Sequence, residues 1–249
     1  MLFEPRTYRN CFPKERFQSF VVDYLDADVW VGVDPESFRP ELEAEVFNTL
    51  KETVDELKAY VETDPLFRKS LKPCPVPEEA PESIRKLAES SALASTGPLA
   101  AKSGLLNERI GQSLLEKFEI NELILENSGD LYLKLRDSLI VSIFADDLED
   151  SGLMGLEVLP EQTPVGIGTG LGTKGHPINH TKADAVMVMA QSGADASAFA
   201  VGIGNRVKKI DDLDKALKHL KLVPEVLAAV FIVEDQIAMH GDNELKLIS

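Results

Sequence analysis

Pairs of short apolar runs, set on either side of helical stretches, constrain this chain more than any single motif. Residues 19–34 read SFVVDYLDADVWVGVD. Two β-rich runs flank Asp26-Ala27-Asp28, with Val29, Val31 and Val33 alternating on one face, which predicts a hairpin. Pro40 then opens a helix in which Leu42, Val46, Leu50, Val54, Leu57 and Val61 recur three and four apart. Glu41, Glu43 and Glu45 load the end of that helix that favours negative charge, and Asp64-Pro65 stops it. Pro73, Pro75, Pro77 and Pro81 make a stiff connector. Helical patterns return over 83–93 and 98–118, with Pro98 early in the second, where its missing N–H costs little. The small residues Ala100, Ala101, Ser103 and Gly104 there permit close approach by a partner element or a ligand. Strand-like runs at 122–126, 131–135 and 139–144 follow, the first two joined by a turn at Asn127-Ser128-Gly129-Asp130. After an acidic turn at 146–152, strands are expected at 154–159, 165–169 and 183–190, helices at 194–206 and 213–220, and strands at 229–234, 236–240 and 244–248. The order strand pair, helices, strand pair thus occurs twice. It predicts an α+β fold: one domain of two packed β-β-α-α-β-β halves, approximately 19–145 and 154–249, with antiparallel sheets.

Charge narrows the partners. The chain has 42 acidic and 26 basic residues, a net charge of −16. Nucleic-acid backbone and anionic lipid would be repelled, so neither is expected as a main partner. The two cysteines, Cys11 and Cys74, have no metal-binding or redox spacing. No run reaches the length a membrane helix needs, and the first residues hold no signal-type apolar run. The expectation is a soluble cytoplasmic protein without membrane or nucleic-acid partners.

The segment Gly166-Ile167-Gly168-Thr169-Gly170-Leu171-Gly172-Thr173-Lys174-Gly175-His176 is the most distinctive. Its glycines let main-chain N–H groups converge on one spot, as phosphate cradles require. Gly170, Gly172 and Gly175 match a dinucleotide fingerprint in spacing, but Pro177 follows where a helix should open. A ligand-contacting loop is expected in preference to a bare connector. His176, His180 and Asp184 stand four apart, a metal-ligand spacing only on a helix, which Pro177 disfavours. Asp195, at the start of the 194–206 helix, serves either as charge for that helix end or as a ligand for a hard cation. Asn127 and Asp130 are either turn formers or polar groups presented at a strand end. Trp30 reads as core, and no Ser-His-Asp order stands out.

On these residues the chain resembles the ApbE superfamily, and within it a branch of compact ApbE-like proteins related to FAD:protein FMN transferases. Arg6-Thr7-Tyr8-Arg9 resembles that branch's N-terminal motif. Gly97-Pro98-Leu99-Ala100-Ala101 through Gly104 and Glu108 falls where the family has a Lys-Gly stretch and an Asp, with Ser103 at the Lys position and Glu108 at the Asp position. Asn127-Ser128-Gly129-Asp130 is similar to an Asn-x-Gly-Gly-Asp turn, with Ser128 replacing a Gly. The glycine segment precedes His176 as a Thr-Ser-Gly region precedes the family's His. Ala194-Asp195-Ala196 matches an Ala-Asp-Ala motif, and Gly204-Asn205-Arg206 fits the branch. The resemblance implies a tunnelling-fold-like architecture, bound FAD or FMN, Mg²⁺, and FMN transfer to a threonine of a target protein. It implies Asp195 as metal ligand, and Gly97, Glu108, Asn127, Gly129, Asp130, Thr169, Gly170, Gly172, Thr173, Gly175 and His176 around the cofactor. Phe199 departs from it, standing where the family has a threonine that helps hold the metal. Three readings stay open: a flavin- or nucleotide-binding protein, including a divergent flavin transferase; an accessory factor in anaerobic sulfur assimilation toward homocysteine, with which relatives of the branch are associated; or a non-catalytic scaffold, a homo-oligomer paired through sheet edges.

Overall fold

The structure is a computed structural model describing residues 9, 12–143, 154–171 and 183–248, with the main chain alone at Leu171. β1 (Gln18–Tyr24) and β2 (Ala27–Val33) form the expected hairpin. Helix α1 (Glu41–Thr63) follows, buried along Leu42, Val46, Leu50, Val54 and Leu57. Asp64 ends it and caps the short α2 (Pro65–Lys69), its carboxylate accepting from the main-chain N–H of Leu66 and Phe67. After the proline connector come α3 (Glu82–Ala94), a 3-10 turn (Pro98–Ala101) and α4 (Lys102–Lys117). The remaining elements are β3 (Leu123–Asn127), β4 (Asp130–Lys134), β5 (Leu139–Ile143), β6 (Met154–Val158), β7 (Val165–Leu171), β8 (Ala185–Ala190), α5 (Gly193–Gly204), α6 (Leu213–Leu220), β9 (Val226–Val233), β10 (Gln236–His240) and β11 (Leu245–Leu247).

The class is α+β and antiparallel, as expected. The strands, however, do not divide into one sheet for each half of the chain. β1 to β4 and β7 to β10 lie in one eight-stranded sheet of order β1-β2-β3-β4-β7-β8-β9-β10, closed in the middle by β4 against β7. A second sheet of order β11-β6-β5 covers one of its faces. The helices cover the other. Side-chain alternation records both layers. In β8, Val186 and Val188 pack with the helices, whereas Ala185, Met187 and Met189 pack with Val141, Leu156 and Val158 of the small sheet. The central strands are therefore apolar on both faces and lose the polar alternation of a half-exposed strand. Trp30 joins the small-sheet side, stacked on Phe12 with ring centroids 4.8 Å apart. The acidic turn expected at 146–152 lies outside the described residues.

Helix α5 is the central helix. It consists almost entirely of small residues, GADASAFAVGIG, and nearly all of it is buried. β7 supports it closely because Gly168 has no side chain there: a Cβ at Gly168 would stand 2.2 Å from the Ala196 carbonyl oxygen. On the other side, a Cβ at Gly104 of α4 would stand 2.0 Å from the Gly193 carbonyl oxygen. The small residues after Pro98 thus admit a partner helix, and the first glycines of the distinctive segment admit that helix to the sheet. Both contacts are backbone to backbone, so no rotamer change relieves them. Gly168→Ala is expected to lower stability by about 2–3 kcal/mol, read as a lower urea midpoint at unchanged slope.

Candidate functional site

β3 and β4 are joined by the two residues Ser128 and Gly129, at φ of 56° and 91°. Two positive φ values in succession make a tight hairpin turn that matches strand twist. The turn is pinned from within, since the Gly129 N–H donates to Glu126 Oε1 at 2.7 Å. Glu126 also pairs with Arg9, whose guanidinium reaches Asp28 Oδ1 at 2.7 Å. The next residue, Asp130, is 4% exposed. Its carboxylate collects donors from three elements: the Thr169 N–H of β7 at 2.8 Å, the Ser197 hydroxyl of α5 at 2.5 Å and the Ser103 hydroxyl of α4. Asn107 of α4 donates to the Asp130 carbonyl oxygen at 2.9 Å. Burial raises the Asp130 carboxyl to about 6, against the opposing pull of these hydrogen bonds. Above this buried group lie exposed Ser128, half-buried Gly129 and half-buried Thr169. A Cβ at Gly129 would meet Thr169 Oγ1 at 2.7 Å, so turn and strand touch.

The start of α5 is held by charge on two sides. Ser192 caps it, its hydroxyl accepting from the Asp195 N–H at 3.3 Å. Glu108 of α4 reaches the same end: its Oε2 accepts from the Ser192 hydroxyl at 2.9 Å and from the Ala194 N–H at 3.2 Å. An internal carboxylate thus takes the place an anion finds at a helix N-terminus. Asp195 and Ser197, two residues apart, project about 200° apart around the helix. Ser197 meets Asp130, and Asp195 meets α3, where Lys86 Nζ lies 3.2 Å from both its carboxylate oxygens and the Ser90 hydroxyl donates to Oδ1 at 2.5 Å.

Comparison with known proteins gives this arrangement its relatives. A family model described as AbpE bacteria matches residues 9–237. A UPF0280 protein of Methanocella arvoryzae is 32% identical over 194 residues, covering 78% of each chain. The chain belongs to this family. Another UPF0280 protein, from Methanococcus vannielii, is 36% identical over 160 residues, 62% of this chain and 64% of that one. Among solved structures, the flavinyl transferase ApbE of Pseudomonas stutzeri superimposes with a TM-score of 0.60 at 11% identity, covering 90% of this chain and 93% of its own. The ApbE protein of Thermotoga maritima does so with a TM-score of 0.55 at 13% identity, over 91% and 97%. At such identities the likeness is one of fold.

In this AbpE-family chain the structure brings together Asn127, Gly129, Asp130 and Thr169 at one corner, with Glu108 beside it at the start of α5. Asn127 is buried at the end of β3 and accepts from the Ser128 hydroxyl at 3.1 Å. Gly97 stands elsewhere, packed so tightly on the Ser70 carbonyl that a Cβ would lie 1.9 Å from that oxygen. Thr169 and Gly170 belong to β7, which runs on to Leu171 rather than opening into a loop after 169. Gly172, Thr173, Gly175, His176 and His180 lie outside the described residues. Asp184 holds the turn after β9, accepting from the Glu234 N–H at 2.6 Å.

Among the described residues, the surroundings of Asp195 do not fit Mg²⁺. Its carboxylate is engaged by an ammonium and a hydroxyl. Phe199, one turn on and on the same side, is buried in the helical core. Among the described residues no group of three or more His, Cys, Asp or Glu is placed to hold a metal ion. Nor is any described helix long and apolar enough to cross a membrane. Sequence reasoning missed Ser197, Asn107, Lys86 and Ser90. Ser197, two residues past Asp195 in a helix of small residues, was the one with a visible signal.

Asp130 gives the fold a pH dependence of known sign. Its folded value of about 6 lies above the ordinary 3.8, so its contribution is full below pH 4 and is lost as pH rises through 6. The change is about 3 kcal/mol. Relative to Asp130→Asn, which does not ionise, the wild-type Tm is expected to fall between pH 4 and pH 7 and then level off. A difference that stays flat or grows with pH would show that the carboxyl is not so shifted.

Proposed function

We propose that this protein binds a flavin or a related nucleotide beside the Ser128–Gly129 turn and Thr169, without a divalent cation on Asp195. The observation that carries this reading is the buried Asp130 carboxylate and its donors on β7, α4 and α5. Buried acids with acidity shifted toward neutrality cluster at functional sites. The fold shared with flavin transferases supports the flavin class. Membership of the AbpE family supports retention of a common ligand site.

On this reading Asp130 does not touch the ligand. It fixes the main chain of β4 against β7 and holds Ser103 and Ser197 in place, so that the turn and Thr169 hold their hydroxyl oxygens in a preset position. Preset groups lose little freedom when a ligand arrives. β7 leads in sequence directly to Gly172, Thr173, Gly175 and His176, which would border the same ligand. A flavin brings a ring system for redox or group-transfer chemistry. This chain's part is to bind and orient it.

Calorimetric titration with FAD, FMN and ADP tests the reading. At least one is expected to bind in EDTA as well as it does in Mg²⁺, and Asp130→Ala is expected to weaken it by about tenfold, or ~1.4 kcal/mol. No heat from any of the three, with or without Mg²⁺, would remove the proposal.

A further inference from the structure

The large sheet ends in β1 on one side and β10 on the other, each with one side unpartnered among the described residues. Both strands belong to hairpins with a two-residue turn. The residues flanking such a turn exchange hydrogen bonds, and every second residue from there turns its N–H and C=O outward. On β1 the outward residues are Ser19, Val21 and Asp23. A charge on the open side guards a sheet edge against pairing, and Asp23 supplies one. On β10 the outward residues are Ile237 and Met239, and the strand holds no Asp, Glu, Lys or Arg. Ile237 is 45% exposed. Beside this unguarded edge lies a cleft of about 610 Å³, between α6, β10 and the residues that follow β10. Leu217, Leu227 and Met239 give it apolar walls, and Lys218 and Lys221 also line it. Neither lysine has an ion pair among the described residues.

We propose that β10 is a self-association edge: it pairs antiparallel with β10 of a second copy of this chain, about a two-fold axis at Ala238. That register uses both outward residues, since Ile237 of each copy exchanges N–H and C=O with Met239 of the other. Directly opposed side chains share a face, so Ile237 covers Met239 in both directions. The same register sets Asp235 of the second copy opposite Gly241, which lines the cleft. The acidic turn Glu234-Asp235 of each copy thereby arrives at the end of the cleft that holds Lys218 and Lys221 of the other. Asp214 and Asp242 line the cleft as well and temper that attraction, so the strand pairing supplies the larger share of the contact. The net charge of −16 opposes association at low salt. At 0.15 M salt the screening length falls to about 8 Å, and strand pairing acts at shorter range than that.

Sedimentation equilibrium of the full chain in 0.15 M salt tests the proposal. Wild type is expected to dimerise with a Kd of about 10 µM or below. Ile237→Lys places a charge on the open edge and is expected to be monomeric at about 100 µM. It also lowers the net negative charge, so added repulsion would not explain the loss. Val21→Lys, the matching change on β1, is expected to leave the dimer intact. A monomeric wild type at about 100 µM, or a dimer that survives Ile237→Lys, would overturn the proposal. Ile237→Pro removes an outward N–H without breaking a bond to β9, so it is expected to keep the circular dichroism of the fold and lose the dimer; it decides the matter should the lysine variant fail to fold. For the cleft contact, Lys218→Glu with Lys221→Glu is expected to weaken dimerisation by about tenfold. Lys69→Glu with Lys72→Glu, an equal change of charge elsewhere, is expected to weaken it far less. Equal weakening by the two pairs would overturn the contact between turn and cleft.

Discussion

The carboxylate of Asp130 ties together β4, β7, α4 and α5. It sits at the first residue of β4, and its partners come from β7, α4 and α5. β4 and β7 are also where the strands before residue 135 join those after 165 in one sheet. A buried charge is costly unless donors surround it, so the three donors and the geometry of the seam depend on one another. Moving α5 by a fraction of an ångström would cost a hydrogen bond to a group that cannot turn to water instead.

Close packing makes that position possible. α5 approaches β7 and α4 at backbone distance because glycines stand at the crossing points, Gly168 on one side and Gly104 on the other. In the sequence Gly168 looks like part of a phosphate cradle. Glycine signals close approach without saying what approaches, and here the approaching element is a helix. The small-residue run after Pro98 is ambiguous in the same way.

Much of the fold was legible. Strand pairs, helices and their ends follow from apolar spacing, proline and turn residues, which are local properties. The joining of both sets of strands into one sheet was not, because pairing between β4 and β7 leaves no local trace. Within the site, the Asn127–Asp130 corner was readable because a tight turn needs those residue types. The roles of Glu108 and Asp195 were not. Which of Asp195 and Ser197 faces Asp130 depends on the rotation of α5 about its axis, set by tertiary packing. Lys86 and Asp195 are 109 positions apart, and lysine on an amphipathic helix ordinarily signals nothing beyond a solvated face.

The AbpE-family chain thus shares the architecture of the flavin transferases while meeting its charges internally: carboxylate on helix amides at Glu108, ammonium on carboxylate at Lys86, and hydroxyls on the buried acid at Asp130. The claim on which this account turns is the state of that acid. Titration of the Asp130 side-chain carbon by ¹³C NMR measures it directly. The account predicts a midpoint near pH 6; a midpoint at or below the ordinary 3.8 would contradict it.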